Sequence, residues 1–283
     1  MTEFPLRDLA SRVRLNQGPA IPVLGLGVFQ TEPGPTTRNA VTWALEAGYR
    51  LIDTATLYGN EADVGEAIRA SGLARHEVFV TTKLWYTDHG YARARRALSE
   101  SLKRLGLEYV DLYLIHWPRA KSPEDRLGSW RALEDLRSEG LCRAVGVSNY
   151  AIRHIEEIRT RSALVPAVNQ VEFHPFVYDP DLLEYCARHK IQLEAYSPLT
   201  RNRWLDDPRI GAIARAVGRS PAQVLIRWGL QHHVVEIPKS THRERIVENS
   251  KVFDFELSPE AMRALDALAA GQRVTQWNPG EIP

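Results

Sequence analysis

The sequence predicts an α/β fold, a (β/α)8 TIM barrel with an N-terminal β-hairpin closing one end, on three observations. Eight short runs rich in Val, Ile, Leu and Ala recur along the chain, as expected of buried parallel strands. Each is followed by a longer amphipathic segment with helix punctuation. The 283 residues, 44% hydrophobic and 25% charged, have an ordinary globular composition and fit one barrel domain spanning residues 1–283.

In chain order, VRLN and AIPV flank QGP and predict the hairpin. The strands are read at residues 23–29 (VLGLGVF), 50–55 (RLIDTA), 78–83 (VFVTTK) and 110–116 (VDLYLIH). The other four lie at 144–149 (AVGVSN), 167–173 (AVNQVEF), 192–197 (QLEAYS) and 234–239 (VVEIPK). Thr36 or Thr37 is placed to cap the first helix, RNAVTWALEAG, and Gly48 to end it in a left-handed conformation. Ser220 before Pro221 and Ser258 before Pro259 each read as an N-cap followed by a first-turn proline. An open doubly wound sheet also satisfies the local pattern. Gly25 and Gly27, however, give only LGLGVF, with no third glycine opening a helix, so the phosphate cradle of that fold is missing.

Thirty-six basic residues against thirty-five acidic ones leave a net charge of +1, which offers no field for nucleic acid or anionic lipid. A small molecule is the expected partner, and a monomer the expected state. The N-terminal MTEFPLRDLA has no apolar run after a basic cluster, and no stretch approaches the roughly 20 apolar residues of a membrane span. The cytoplasm is the expected location. Cys142 and Cys186 read as reduced thiols, and without CxxC or Cys/His ligand spacing no metal site is expected.

In such a barrel the active site lies at the C-terminal ends of the strands. Polar residues gather there: Asp53 and Tyr58 after the second strand, Lys83 after the third, His116 after the fourth, Ser148 and Asn149 after the fifth. Asn169 and Gln170 lie on the sixth, Tyr196 and Ser197 end the seventh, and Lys239 and Ser240 end the eighth. One such residue alone is more often a satisfied structural group; a cluster on one rim is not. Asp53 and Lys83 are expected to pair, because either charge alone would be costly in a desolvated site. Lys83 is then expected to lower the pKa of Tyr58 from about 10, making it a candidate acid, with His116 hydrogen-bonding a carbonyl oxygen.

At these residues the chain resembles the aldo-keto reductase superfamily, in GYRLIDTATLYGNE, VTTKLW, DLYLIHWP, VGVSN, VPAVNQVEFHP, AYSPL and IPKS, over nearly its whole length. Its compact form looks like the prokaryotic branch that includes 2,5-diketo-gluconate reductases. The resemblance implies reduction of a small aldehyde or ketone by NADPH, with Asp53, Tyr58, Lys83 and His116 as the catalytic tetrad. It implies that Ser148, Asn149 and Gln170 hold the nicotinamide carboxamide, that Tyr196 stacks on the ring, and that Ser197 and Leu199 lie on the cofactor side. It assigns Lys239, Ser240 and Arg245 to the 2′-phosphate, and Glu248 and Asn249 to the adenosine. Phe29, Trp85, Trp117 and Trp277 are expected to wall the substrate pocket. Tyr150 replaces the family's usual Phe, and Val28 stands where many members carry a hydroxyl. Two rival readings are a Schiff-base aldolase using Lys83 or Lys239, and a regulatory subunit that binds NADPH without turnover.

Overall fold

The computed structural model describes residues 4–282. The hairpin forms from β1 (Arg12–Arg14) and β2 (Ala20–Pro22), antiparallel with Val13 opposite Ile21. Its turn is pinned to one end of the barrel. Gln17 donates to Val145 O at 3.1 Å and Val165 O at 2.8 Å and accepts from Val145 N at 3.0 Å, while Asn16 donates to Pro166 O at 3.1 Å. These contacts lie toward the N-terminal ends of two strands, so the hairpin plugs that mouth and leaves the opposite one for the site.

Eight parallel strands follow: β3 (Leu26–Gly27), β4 (Leu51–Asp53), β5 (Phe79–Leu84), β6 (Val110–Ile115), β7 (Cys142–Ser148), β8 (Val168–Glu172), β9 (Gln192–Tyr196) and β10 (Val235–Glu236). Each pairs with the next in sequence. The ring closes through a parallel bridge between Leu24 and Glu236, with Gly25 N donating to Glu236 O at 2.8 Å and Glu236 N to Val23 O at 2.9 Å. The two glycines of LGLGVF allow close approach here, Gly25 to β4 and Gly27 to the chain beyond β10. A Cβ on Gly25 would stand 2.4 Å from Leu51 Cγ, and one on Gly27 would stand 2.9 Å from Ile237 O.

Several paired strands are shorter than the apolar runs, the first run, 23–29, pairing as a strand only at Leu26–Gly27 and the last, 234–239, only at Val235–Glu236, whereas β5 and β7 are as long as their runs or longer. Every residue of β5 and β6 is buried, because one side fills the barrel and the other is covered by helices. In the helix Tyr91–Leu105 the buried Ala94, Leu98, Leu102 and Leu105 recur at three- and four-residue spacing and form the covering face.

The first helix corrects the expected cap. It spans Pro35–Glu46 behind Gly34, whose N–H is taken by Asp63 Oδ2 at 2.7 Å. Thr37 lies inside the first turn and donates backwards to Glu32 O at 2.6 Å, so neither threonine caps. Pro35 at the first helical position sets the start two or three residues earlier. Gly48 does take a positive φ, 99°. Ser220 caps Pro221–Gln231 by accepting from Gln223 N, and Ser258 caps Pro259–Asp266 by accepting from Ala261 N.

Candidate active site

The strand ends assemble one ionic centre. Lys83, fully buried near the end of β5, donates from Nζ to Asp53 Oδ1 at 2.5 Å, Thr54 O at 3.0 Å and Tyr58 Oη at 3.2 Å. All three ammonium hydrogens are thereby used. Tyr58 reaches the lysine because the chain after β4 makes a 3-10 turn, Thr56–Tyr58, ended by Gly59 at φ 69°. Since the phenol oxygen accepts from Lys83, its own hydrogen is free for the cavity that Tyr58 lines.

Burial alone would lower the Lys83 pKa, but Asp53 and Tyr58 outweigh it and hold the ammonium charged. Tyr58 departs from the sequence expectation. Desolvation pushes its phenol up to about 12, against the downward pull of Lys83, and Asp53 pushes it further up. The carboxylate offsets the lysine's field, so the net effect of the pair is too small to overcome the low-dielectric surroundings. Tyr58 is therefore a protonated donor.

His116, just beyond β6, is held well below its ordinary pKa by burial and then by Lys83, so the imidazole is neutral. Its ring meets Tyr58 edge-on at 5.7 Å and Trp85 at 5.1 Å, and its buried Nδ1 has no partner among the described residues.

Ser148, Asn149, Gln170 and Tyr196 form the next layer. Ser148 Oγ donates to Gln170 O at 2.8 Å, Asn149 Nδ2 donates to His116 O at 3.0 Å, and Tyr196 Oη donates to Asn149 Oδ1 at 2.7 Å. Asn149 and Ser197 take left-handed φ of 63° and 53°, which turns the chain at the ends of β7 and β9. A cavity of about 600 Å³ opens above this layer, lined by Asn149, Gln170, Tyr196, Ser197, Leu199 and Lys239 on one side. Ser240 is buried, with its hydroxyl engaged by the backbone of His242, donating to His242 O at 3.3 Å and accepting from His242 N at 3.1 Å. Arg245, Glu248 and Asn249 lie on the helix Arg243–Asn249 and do not line the cavity; Arg245 is exposed, Glu248 half-buried and Asn249 buried.

The opposite wall is aromatic. Phe29, Trp85, Trp117 and Trp277 all line the cavity, and Trp277 stacks on Trp85 at 6.2 Å and meets Trp117 edge-on at 5.1 Å. Trp277 arrives there because buried Glu172, at the end of β8, clasps the tail: it accepts from Val274 N at 2.5 Å and from the Thr275 hydroxyl, as well as from His174 Nε2 at 2.9 Å. Arg153 and His154 hold Gly280 and Ile282 through their carbonyls. Sequence reasoning missed Glu172, Glu194 and the cavity residues Arg201, Asn202 and Thr275. A carboxylate inside an otherwise apolar strand was the available signal for the two glutamates.

The chain's similarities agree with this geometry. The model of the aldo/keto reductase family matches residues 23–270. The glyoxal reductase of Bacillus subtilis is 47% identical over 275 residues, covering 97% of this chain and 98% of that protein. A crystal structure of an aldo/keto reductase from Brucella melitensis superposes with a TM-score of 0.87 at 44% identity, covering 91% of this chain and 98% of that one. A Bombyx mori aldo-keto reductase in complex with NADP gives a TM-score of 0.87 at 38% identity, with 94% of each chain covered. An eight-stranded barrel with a lysine–carboxylate–tyrosine centre at its open mouth, matched over most of its length, belongs to the aldo/keto reductase family.

Proposed function

We propose that this chain reduces the carbonyl group of small aldehydes and ketones with NADPH, with α-dicarbonyls and keto-sugar acids as the substrate class. The observation that carries the reading is the Lys83 ammonium bonded at once to Asp53 and Tyr58 beneath the cavity. NADPH, when bound, supplies the hydride for the carbonyl carbon. Tyr58 then gives its free hydrogen to the carbonyl oxygen, and Lys83 stabilises the phenolate left behind by charge and hydrogen bond. Neutral His116 orients the carbonyl oxygen. The aromatic wall excludes water and favours flat or compact carbonyl compounds.

The residues fit a phosphorylated nicotinamide cofactor. Tyr196 offers a ring face beside the amides of Asn149 and Gln170, with Ser148 behind them and Ser197 and Leu199 alongside. Lys239 at the cavity edge and Arg245 beyond it have no acidic partner among the described residues, and suit the 2′-phosphate together with Ser240. Glu248 and Asn249 take the adenosine side. The similarity to a glyoxal reductase supports the α-dicarbonyl class. A monomer in the cytoplasm belongs to the same reading. An aldolase that uses Lys83 is disfavoured, because all three hydrogens of Lys83 are bonded and a charged lysine is a poor nucleophile.

Tyr58→Phe tests the proposal. It should lower turnover of methylglyoxal by about 10²–10⁴-fold while leaving NADPH affinity, read by fluorescence titration, nearly intact. Turnover near that of the parent would sink the role of Tyr58.

A further inference from the structure

Glu194 lies on β9 with its side chain inside the barrel, fully buried, and the roles proposed above leave it unused. Its Oε2 accepts from Gln170 Nε2 at 2.9 Å, and the same nitrogen donates to Asp53 Oδ2 at 2.8 Å. The Asp53 carboxylate, paired with Lys83, can only accept, so this end of the Gln170 amide must be the NH₂ group. Its two hydrogens go to two different carboxyl groups, one on β4 and one on β9. That leaves the carbonyl oxygen as the end of the amide turned to the cavity, which Gln170 lines.

We propose that Glu194 is a positioning residue for the cofactor: as the second acceptor on Gln170 it locks the amide with nitrogen inward and carbonyl outward. An outward carbonyl is an acceptor suited to an amide N–H of the nicotinamide carboxamide. This rests on the reading of Gln170 as a carboxamide ligand. With Asp53 as the sole acceptor, one N–H of Gln170 would lie buried without a partner, and the amide would turn to satisfy it, blurring the acceptor it presents. Glu194 sits opposite Val235 on β10 and diagonal to Glu236, so no cation of its own strand neighbours competes for its oxygens. Burial, and then the nearby Asp53, push its carboxyl up to about 8, so at neutral pH it accepts as an uncharged group and adds no second negative charge beside Tyr58.

The test compares NADPH with adenosine 2′,5′-bisphosphate, which lacks the nicotinamide. Glu194→Leu should weaken NADPH by about 3- to 10-fold, the worth of one hydrogen bond, and leave the bisphosphate unchanged. Glu194→Gln, whose side-chain carbonyl can accept the same N–H, should keep NADPH within about 2-fold. Glu194→Val replaces the leucine variant if that chain does not fold, judged by its thermal transition. Equal losses for both ligands, or no loss of NADPH in the apolar variant, would overturn the proposal. Gln170→Leu separates the underlying reading: it should lose NADPH affinity selectively. If it does not, Gln170 is no carboxamide ligand and the role of Glu194 falls with it, whatever the Glu194 variants do.

Discussion

The floor and the wall of the cavity are built by different means. The floor is a lattice of buried polar groups from β4, β5, β8 and β9, in which Lys83, Asp53, Gln170 and Glu194 each hold at least one neighbour within 2.5–2.9 Å. The wall is a set of rings on loops and on the C-terminal tail, held edge to face, with the tail fastened at Glu172 and at Arg153 and His154. Breaking one bond in the floor leaves a buried charge or polar group without its partner, whereas breaking one in the wall exposes a ring to water. The chemical step should therefore be intolerant of change at the floor, and substrate choice should move with the wall.

The largest effect should come from Lys83→Met. It removes the charge that receives the developing phenolate and leaves Asp53 buried without its ion pair, a defect worth about 3–5 kcal/mol. Single-turnover oxidation of NADPH should slow by roughly 10²-fold or more, and the thermal transition should fall. A chain with the parent's hydride-transfer rate would break the distinction between floor and wall.

Glu172→Gln should act on the wall alone. Burial by itself would raise the pKa of Glu172, but hydrogen bonds from His174, Thr275 and Val274 outweigh it and keep the carboxylate ionised. The neutral amide gives up the charge-assisted bonds, at about 1–2 kcal/mol. KM for aromatic aldehydes should rise by roughly 5- to 30-fold, kcat for methylglyoxal should stay nearly constant, and trypsin should cut after Arg273 more readily. If kcat fell as far as KM rose, the tail would be part of the chemistry rather than its fence.

The smallest effect concerns Glu236, a buried carboxyl behind the seam, with neither oxygen partnered among the described residues. Gly229 makes its room, since a Cβ there would stand 1.7 Å from Glu236 Oε1. Burial, and then Glu194, hold its pKa well above the ordinary value of 4.5. The folded chain thus keeps a proton that the unfolded chain releases above that pH. The stability this gives is complete below the unfolded value and declines as pH rises toward the folded one. Urea unfolding from pH 5 to 9 should show this decline, and Glu236→Gln should make it shallower without altering turnover, the part due to Glu194 remaining. An unchanged slope would mean that Glu236 ionises freely in the fold.

Much of the floor was legible in the sequence. Asp53, Lys83 and His116 stand at the ends of apolar runs, and a barrel sends every strand end to one rim, so their meeting followed from topology alone. The LGLG run showed correctly that no glycine cradle opens a helix, but the need for its glycines depends on Leu51 of β4 and Ile237 beyond β10, which are distant in sequence. The acidity of Tyr58 was read with the wrong sign, because the lysine's charge was visible while the opposing Asp53 field and the desolvation of the finished site were not.

The sequence by itself determined the strand and helix periods and the caps at Ser220 and Ser258, because each depends on spacings of a few residues. Only the tertiary structure decided that Gln170 bridges Asp53 and Glu194 and that Glu172 fastens the tail. These contacts join residues roughly twenty to more than a hundred positions apart, and no local preference encodes which of many buried carboxyl groups will lie within 3 Å of a given donor. Such distances exist only once the ring of strands has closed.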